Sequence, residues 1–134
     1  MRVAAVGSRN WSDARLIEDA LMLYAPSAVI TGDCSRGADA IAKAVALAHG
    51  WGLEVFVADW KAHGRAAGPI RNASLLDDGR PDVVLIFSDD MHPGRGSFDV
   101  EQGCVLRGLP HIVYSHGGDP RVVTMDKIFT GESK

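Results

Sequence analysis

Three glycine-bearing segments contain the residues of this sequence that are best suited to chemistry. They are Val6-Gly7-Ser8-Arg9, Gly32-Asp33-Cys34-Ser35-Arg36-Gly37-Ala38-Asp39 and Pro93-Gly94-Arg95-Gly96-Ser97. Each follows an apolar, strand-like run and precedes a helix-like stretch. Because the N-terminus of a helix carries unpaired N–H groups and about half a positive charge, glycine-rich turns there let the backbone approach an anion closely. Backbone geometry alone would explain any single turn, but their recurrence at equivalent places predicts phosphate recognition.

We expect the ligand-binding residues to come from these turns, from the end of the third strand and from the start of the third predicted helix. The turns supply Gly7, Ser8, Arg9, Gly32, Ser35, Arg36, Gly37, Asp39, Gly94, Arg95, Gly96 and Ser97. The other two positions supply Asp59, Trp60, Arg71 and Asn72. Two of these residues have a plainer alternative. Asp39 either accepts a hydrogen bond from a ribose hydroxyl or only complements the dipole of its helix, and Trp60 either stacks on a base or packs beside the sheet edge.

Arg71 follows Gly68-Pro69 in the first turn of the third predicted helix. A cation at this place opposes the helix dipole, so helix stability alone does not account for it. Binding of a phosphate or carboxylate explains Arg71 better, with an ion pair to Asp77 or Asp78 as the structural alternative.

Several other kinds of site are disfavoured. The sequence contains neither the G-x-G-x-x-G motif of nicotinamide-binding proteins nor a G-x-x-x-x-G-K-[ST] phosphate loop. The two cysteines lie far apart, and the five histidines form no cluster with metal-ligand spacing. Asp89-Asp90 suggests a magnesium site that would help to hold a pyrophosphate, but we favour a solvated turn. No cofactor or metal is therefore predicted with certainty.

The elements that position these residues alternate between strand and helix. Apolar runs predict strands at residues 3–6, 28–31, 53–58, 83–87 and 111–114, and helix-like stretches occur at about residues 12–23, 37–49, 69–76 and 97–107. This alternation implies a doubly wound, Rossmann-like α/β fold with a mostly parallel five-stranded sheet and helices on both faces. Residues 121–124 are a candidate for a short extra edge strand. In such a fold the ligand crevice lies at the carboxyl ends of the strands, where all three turns would meet.

Length and charge limit the partners. The 134 residues fit one domain, residues 1–134, with a core at about 2–114 and a C-terminal extension at 115–134 that frays at 131–134. No apolar run approaches the roughly 20 residues of a membrane span, and the N-terminus lacks a signal-peptide pattern, so we expect a cytoplasmic protein that does not bind membranes. The net charge of −3 makes nucleic acid an unfavourable partner and is compatible with a small anion. A homodimer or higher oligomer remains open.

Five segments together resemble the YspA-type branch of the SLOG superfamily. They are Gly7-Ser8-Arg9, Gly32 with Ser35 to Asp39, Ala58-Asp59-Trp60, Gly64-Arg65-Ala66-Ala67-Gly68-Pro69-Ile70-Arg71-Asn72 and Gly94-Arg95-Gly96-Ser97. The superfamily is similar in fold to the LOG phosphoribohydrolases and the DprA DNA-processing proteins. The resemblance implies a nucleotide or nucleotide-derived ligand.

The resemblance also leaves a hydrolytic alternative open. LOG enzymes place an arginine and the glutamate of a P-G-G-x-G-T-x-x-E motif beside the ribosyl bond, and Arg71 matches that arginine in position. Val100 stands where the glutamate belongs, with Asp99 and Glu101 on either side. One step along a helix rotates a side chain by about 100°, which turns both acids away from that direction. Binding or sensing of a nucleotide is therefore the leading hypothesis. A phosphoribohydrolase that uses Arg71 with Asp99 or Glu101 is the alternative, and DprA-like binding of single-stranded DNA comes third.

Overall fold

The computed structural model describes residues 1–124 and contains a six-stranded sheet. Its strands are β1 (Arg2–Gly7), β2 (Ala28–Gly32), β3 (Gly52–Phe56), β4 (Val83–Phe87), β5 (His111–Tyr114) and β6 (Arg121–Val123). The strand order is β3-β2-β1-β4-β5-β6. All neighbours are parallel except β5 and β6, which are antiparallel. The sheet confirms the predicted Rossmann-like α/β class, and β6 realises the candidate edge strand as a sixth member.

Helices cover both faces of the sheet. They are α1 (Ala14–Tyr24), α2 (Ala38–His49), the short α3 (Trp60–His63), α4 (Ala67–Asp77) and α5 (Gly96–Arg107), with a 3-10 turn at Gly64–Ala66 between α3 and α4. The central strands are buried on both sides, and successive side chains along them point to opposite faces. On β1, Val3 and Ala5 pack with α1 and α2, whereas Ala4 and Val6 pack with α4 and α5.

The helix boundaries differ from the sequence prediction in ways that affect the site. Helix α1 is capped by Asp13, whose carboxylate accepts from the Leu16 N–H at 3.1 Å, so the helix begins at Ala14, two residues after the predicted start. Helix α4 starts two residues before Pro69, which places Arg71 in its second turn instead of its first. Proline is tolerated throughout the first turn because those N–H groups have no intrahelical acceptor. Arg71 therefore lies deeper along its helix than the sequence predicts.

The predicted C-terminal extension is only partly described. It begins with a turn and with β6, which pairs with β5 through His111 opposite Val123 and Val113 opposite Arg121. Residues 125–134, including the segment expected to fray, lie outside the described part of the chain. No helix within residues 1–124 combines the length and apolar character needed to cross a membrane.

Candidate functional site

A continuous cleft runs along the carboxyl ends of β1, β2 and β4. It consists of two lobes and a narrow inner pocket, which we call together the strand-end cleft. The α5 lobe, of about 460 Å³, is lined on one side by residues 94–97. The Trp60 lobe, of about 270 Å³, is lined by Trp60 and by residues of the turn after β2. Both volumes together suit a mononucleotide-sized ligand.

Arg71 lies where the lobes and the inner pocket meet, since it lines all three. Its guanidinium donates to Asp33 Oδ1 over 2.7 Å and, through Nε, to Asn72 Oδ1 over 2.9 Å. The Arg71 side chain is only 15% exposed, so its direction is fixed by these partners. The alternative of an ion pair with Asp77 or Asp78 is wrong, because the ion-pair partner of Arg71 is Asp33 and Asp77 binds Arg107. Arg71 is a largely buried, oriented cation that faces the cleft.

Asn72 extends this network from α4 to α5. Its Nδ2 donates to Asp99 Oδ2 over 3.0 Å, and its side chain lines the inner pocket beside Val100. Val100 therefore occupies the cleft-facing position of α5, in agreement with the helix geometry expected from sequence. Asp99 faces the groove between α4 and α5 and contacts the cleft only through Asn72.

The structure does not bring Glu101 into the cleft. This buried carboxylate accepts from both terminal nitrogens of Arg121, at 2.7 and 2.8 Å, and is 2.9 Å from His111 Nε2. The hydrogen bonds from Arg121 and, to a smaller extent, those from His111 lower its pKa below the ordinary value, although burial acts in the opposite direction. Glu101 joins α5 to β5 and β6, which is a structural arrangement.

Asp39 is a buried carboxylate in the wall of the inner pocket, with 5% of its surface exposed. Burial raises its pKa, while the nearby Arg71 charge and the backbone N–H groups of Cys34 and Gly7 partly offset that rise. Side chains of Asp39 and Arg71 both pass over Gly32, where a Cβ atom would lie 2.5 Å from Asp39 Oδ2 and 2.8 Å from an Arg71 nitrogen. A side chain at position 32 would therefore displace the ends of these two side chains from their places at the end of β2.

The turns after β1 and β2 use much of their backbone to hold each other. The Ser8 N–H donates to the Phe87 carbonyl over 2.9 Å, and the Ala38 N–H donates to the Ser8 carbonyl over 3.0 Å. Gly37 has φ +77°, and a Cβ there would lie 2.3 Å from the Arg9 Cα. Both turns line the cleft, but the close approach of their glycines is explained by packing within the protein.

The turn before α5 is different: the Ala38 N–H at the start of α2 donates to the Ser8 carbonyl, whereas among residues 1–124 no backbone carbonyl accepts from the Gly96 or Ser97 N–H. The N-cap residue, Arg95, has extended backbone, and no side chain in the described part of the chain caps the helix. A Cβ on Gly96 would meet no atom within 4 Å, and the φ of Gly96 lies outside the left-handed region. Neither backbone conformation nor internal packing therefore requires a glycine there. Gly96 and Ser97 face the inner pocket together with Arg71.

Two further cations and an aromatic ring line the outer parts of the cleft. Arg9 and Arg36 are both exposed and both border the Trp60 lobe, next to Ser35. Trp60 is 55% exposed and is the first residue of α3, whose N-cap Asp59 accepts from the Ala62 N–H over 3.0 Å. The structure thus brings Trp60 into the cleft, while Asp59 serves as a helix cap.

The predicted ligand-binding residues do not include Asp33, Cys34 or Asp90, which the structure places in the cleft. Asp33 orients Arg71, Cys34 lies at the junction of the lobes, and Asp90 binds Arg95 Nε over 2.9 Å. A polar residue directly after the buried strand β2 is the signal that could have identified Asp33. Asp89 and Asp90 have separate partners, since Asp89 binds His116. Within residues 1–124, no three potential metal-binding side chains cluster together.

Comparison with known proteins agrees with this architecture. Residues 1–63 match the family described as "YspA, cpYpsA-related SLOG family", a range that runs from β1 to the end of α3. The chain is also similar to the Gene 61 protein of Mycobacterium phage D29, with 36% identity over 99 residues, which covers 64% of this chain and 75% of that relative. The match to the family includes Gly7, Gly32, Gly37 and Asp39 but ends before Arg71 and α5. Fold, strand-end cleft and similarity agree: this chain belongs to the YspA, cpYpsA-related SLOG family.

Proposed function

We propose that this protein binds a nucleotide or nucleotide-derived ligand in the strand-end cleft, with a phosphate at the N-terminus of α5. The observation that carries the proposal is the open helix end at Gly96 and Ser97, which faces the same inner pocket as Arg71. Unpaired N–H groups at a helix N-terminus and a guanidinium together make a strong phosphate site. Membership of the SLOG family supports a nucleotide as the source of that phosphate.

The remaining contacts follow from that anchor. With a 5′-phosphate on α5, the ribose would lie against Arg71 and the buried carboxylate of Asp39, which can accept from a sugar hydroxyl. The base would extend toward the exposed face of Trp60. The N-terminus of α5, Arg71 and Trp60 would thus contact the phosphate, the ribose and the base, in the order in which these groups are joined in a nucleotide.

Adding a single methyl group at Gly96 tests the phosphate position. Gly96→Ala fills space that no protein atom occupies, so the fold should keep its free energy of unfolding or gain up to about 1 kcal/mol. The methyl would stand where the phosphate approaches, and we expect at least about tenfold weaker binding of adenosine 5′-monophosphate in calorimetry, the equivalent of about 1.4 kcal/mol.

Two comparison variants make the Gly96 result specific. Gly118→Ala adds a methyl outside the cleft, next to the movable Ser115 hydroxyl, and should bind like the parent. Gly37→Ala forces a Cβ onto the backbone of Arg9 and should instead destabilise the fold. If Gly96→Ala binds adenosine 5′-monophosphate as tightly as the parent does, the phosphate does not bind at the N-terminus of α5.

One observation favours N-glycosidic hydrolysis as a second candidate. Asp39 supplies a carboxyl with a raised pKa in the same inner pocket as Arg71, and such a group can act as a general acid. Against it stands Val100, an apolar side chain at the cleft-facing position of α5. Binding without turnover accounts for both features, because Asp39 is also placed to accept from the ribose.

Release of free base separates the two candidates. We expect incubation with adenosine and guanosine 5′-monophosphates to release base no faster than the Arg71→Ala variant does, as followed by chromatography. Release by the parent that is lost in Asp39→Asn or Asp99→Asn would make the protein a phosphoribohydrolase and would identify its acid.

A further inference from the structure

The Trp60 lobe is bordered by two exposed arginines, Arg9 and Arg36. In the cleft, Arg71 is paired with Asp33 and Arg95 with Asp90. Neither Arg9 nor Arg36 has a carboxylate oxygen within 4.0 Å among residues 1–124. Within the described part of the chain, these two arginines therefore have no carboxylate partner that would compete with a ligand.

The backbone holds the two arginines on one surface. The turn after β1 and the start of α2 are joined by the hydrogen bond from the Ala38 N–H to the Ser8 carbonyl, at 3.0 Å. Gly37, next to Arg36, packs directly on the Arg9 backbone. This contact holds the two turns together, so both guanidinium groups border the same lobe. Like charges there repel unless an anion lies between them.

The remaining residues of the lobe do not supply that anion. Asp33 is the carboxylate that lines it, and Asp33 is bound to Arg71 at 2.7 Å and also accepts from the Ala58 N–H at 3.3 Å. Trp60 adds an exposed ring to the same surface. Positive charge beside an aromatic face is suited to a phosphorylated base or sugar and not to an apolar molecule.

We propose that the Trp60 lobe is a second anion subsite, so that the ligand is a nucleotide with two anionic groups separated by its ribose. One phosphate binds at the N-terminus of α5, and Arg9 and Arg36 bind the other, on the 2′ or 3′ side of the sugar. Arg71 and Arg9 each border both lobes, and in this arrangement Arg71 would lie between the two anionic groups. This inference rests on the proposed nucleotide function and extends it from a monophosphate to a bisphosphate class.

Calorimetry with three probes tests the second subsite. Adenosine 3′,5′-bisphosphate carries the two groups apart, adenosine 5′-diphosphate carries them together, and adenosine 5′-monophosphate carries one. We expect the bisphosphate to bind at least about tenfold more tightly than the monophosphate, with a much smaller gain for the diphosphate. In the Arg9→Ala/Arg36→Ala double variant, the bisphosphate and monophosphate should bind within about twofold of each other.

Arg65→Ala is the matched control, because Arg65 is an exposed arginine in the 3-10 turn and does not line the cleft. It removes the same charge and should keep the bisphosphate preference. Three results would overturn the second subsite while leaving monophosphate binding intact. The parent could bind the bisphosphate no more tightly than the monophosphate, it could bind the diphosphate as tightly as the bisphosphate, or Arg65→Ala could reduce the bisphosphate preference as much as the double variant does.

Two other outcomes are also decisive. Absence of binding by all three probes would overturn the proposed function and this extension together. Tighter binding of a 5′-phosphorylated single-stranded oligonucleotide than of the bisphosphate would show that the two subsites read a nucleic acid strand, against the small-ligand proposal.

Discussion

The guanidinium of Arg71 is largely buried, but it lines the strand-end cleft and can be reached by a ligand there. Its hydrogen bonds to Asp33 and Asn72 fix the guanidinium at the junction of the two lobes, and the chain through Asn72 reaches Asp99 on α5. A guanidinium that is already oriented loses little rotamer entropy when it binds a phosphate or a ribose oxygen. This arrangement also explains why Asp33 follows Gly32 directly at the end of β2.

Replacement of Arg71 should affect ligand binding more than folding. We expect Arg71→Ala to weaken binding of a 5′-monophosphate by about 1.5–3 kcal/mol, the range for a hydrogen bond to a charged group. The free energy of unfolding should fall by less than the binding free energy does, because Asp33 is 28% exposed and becomes hydrated when Arg71 is removed. Calorimetry and urea unfolding give the two quantities. Arg71→Lys keeps the charge but not the fork, and should lie between parent and Ala variant.

The opposite pattern would relocate the site. Normal ligand affinity in an Arg71→Ala protein that unfolds much more easily would mean that the contact with Asp33 is purely structural.

At the scale of elements, three turns that look alike in sequence have different uses. Those after β1 and β2 hold one another through Ser8, Ala38 and Gly37, whereas the turn before α5 leaves its helix end open at Gly96. The spacing of glycines in the sequence cannot distinguish a glycine required by close packing within the protein from one that leaves space for a ligand. The distinction depends on which backbone lies opposite, and that is a tertiary property.

The ion pair between Arg121 of β6 and Glu101 of α5 should make the attachment of β6 depend on pH. Arg121 and His111 hold the folded pKa of Glu101 below 4.5, its ordinary value. A carboxylate with a depressed pKa stabilises the fold above the unfolded value, and this contribution is lost as the pH falls from about 4.5 through the folded pKa. Acid should therefore loosen α5, β5 and β6 together.

Arg121→Ala tests this attachment. We expect it to lower the free energy of unfolding at pH 7 by about 1 kcal/mol, a value reduced because Arg121 is half exposed, and to leave Glu101 in contact with His111. Urea unfolding at pH 7 and pH 3 measures the difference between parent and variant, which should shrink at the lower pH. A constant difference would mean that Arg121 acts through packing alone.

At the scale of the whole molecule, β1 lies between β2 and β4, so the chain order reverses at the centre of the sheet. Ligands of doubly wound folds bind at this switch point, beyond the carboxyl ends of the strands. The alternation of apolar strands and helices was sufficient to predict this layout, because periodicity and chain order determine it. The partners of individual side chains are not predictable from the sequence. Arg71 binds Asp33 from another loop, and Glu101, which helix geometry correctly turns away from the cleft, binds Arg121 of β6.

The most direct test of the account compares nucleotides with their nucleosides. The central claim is that the strand-end cleft recognises a phosphate. In a thermal-shift assay, nucleoside 5′-monophosphates and bisphosphates should therefore stabilise the protein, and the matching nucleosides should stabilise it much less. At a hundredfold excess over the dissociation constant, the expected gain is about 2.7 kcal/mol in the free energy of unfolding. Equal shifts for nucleotides and nucleosides, or no shift with either, would contradict phosphate recognition in this cleft.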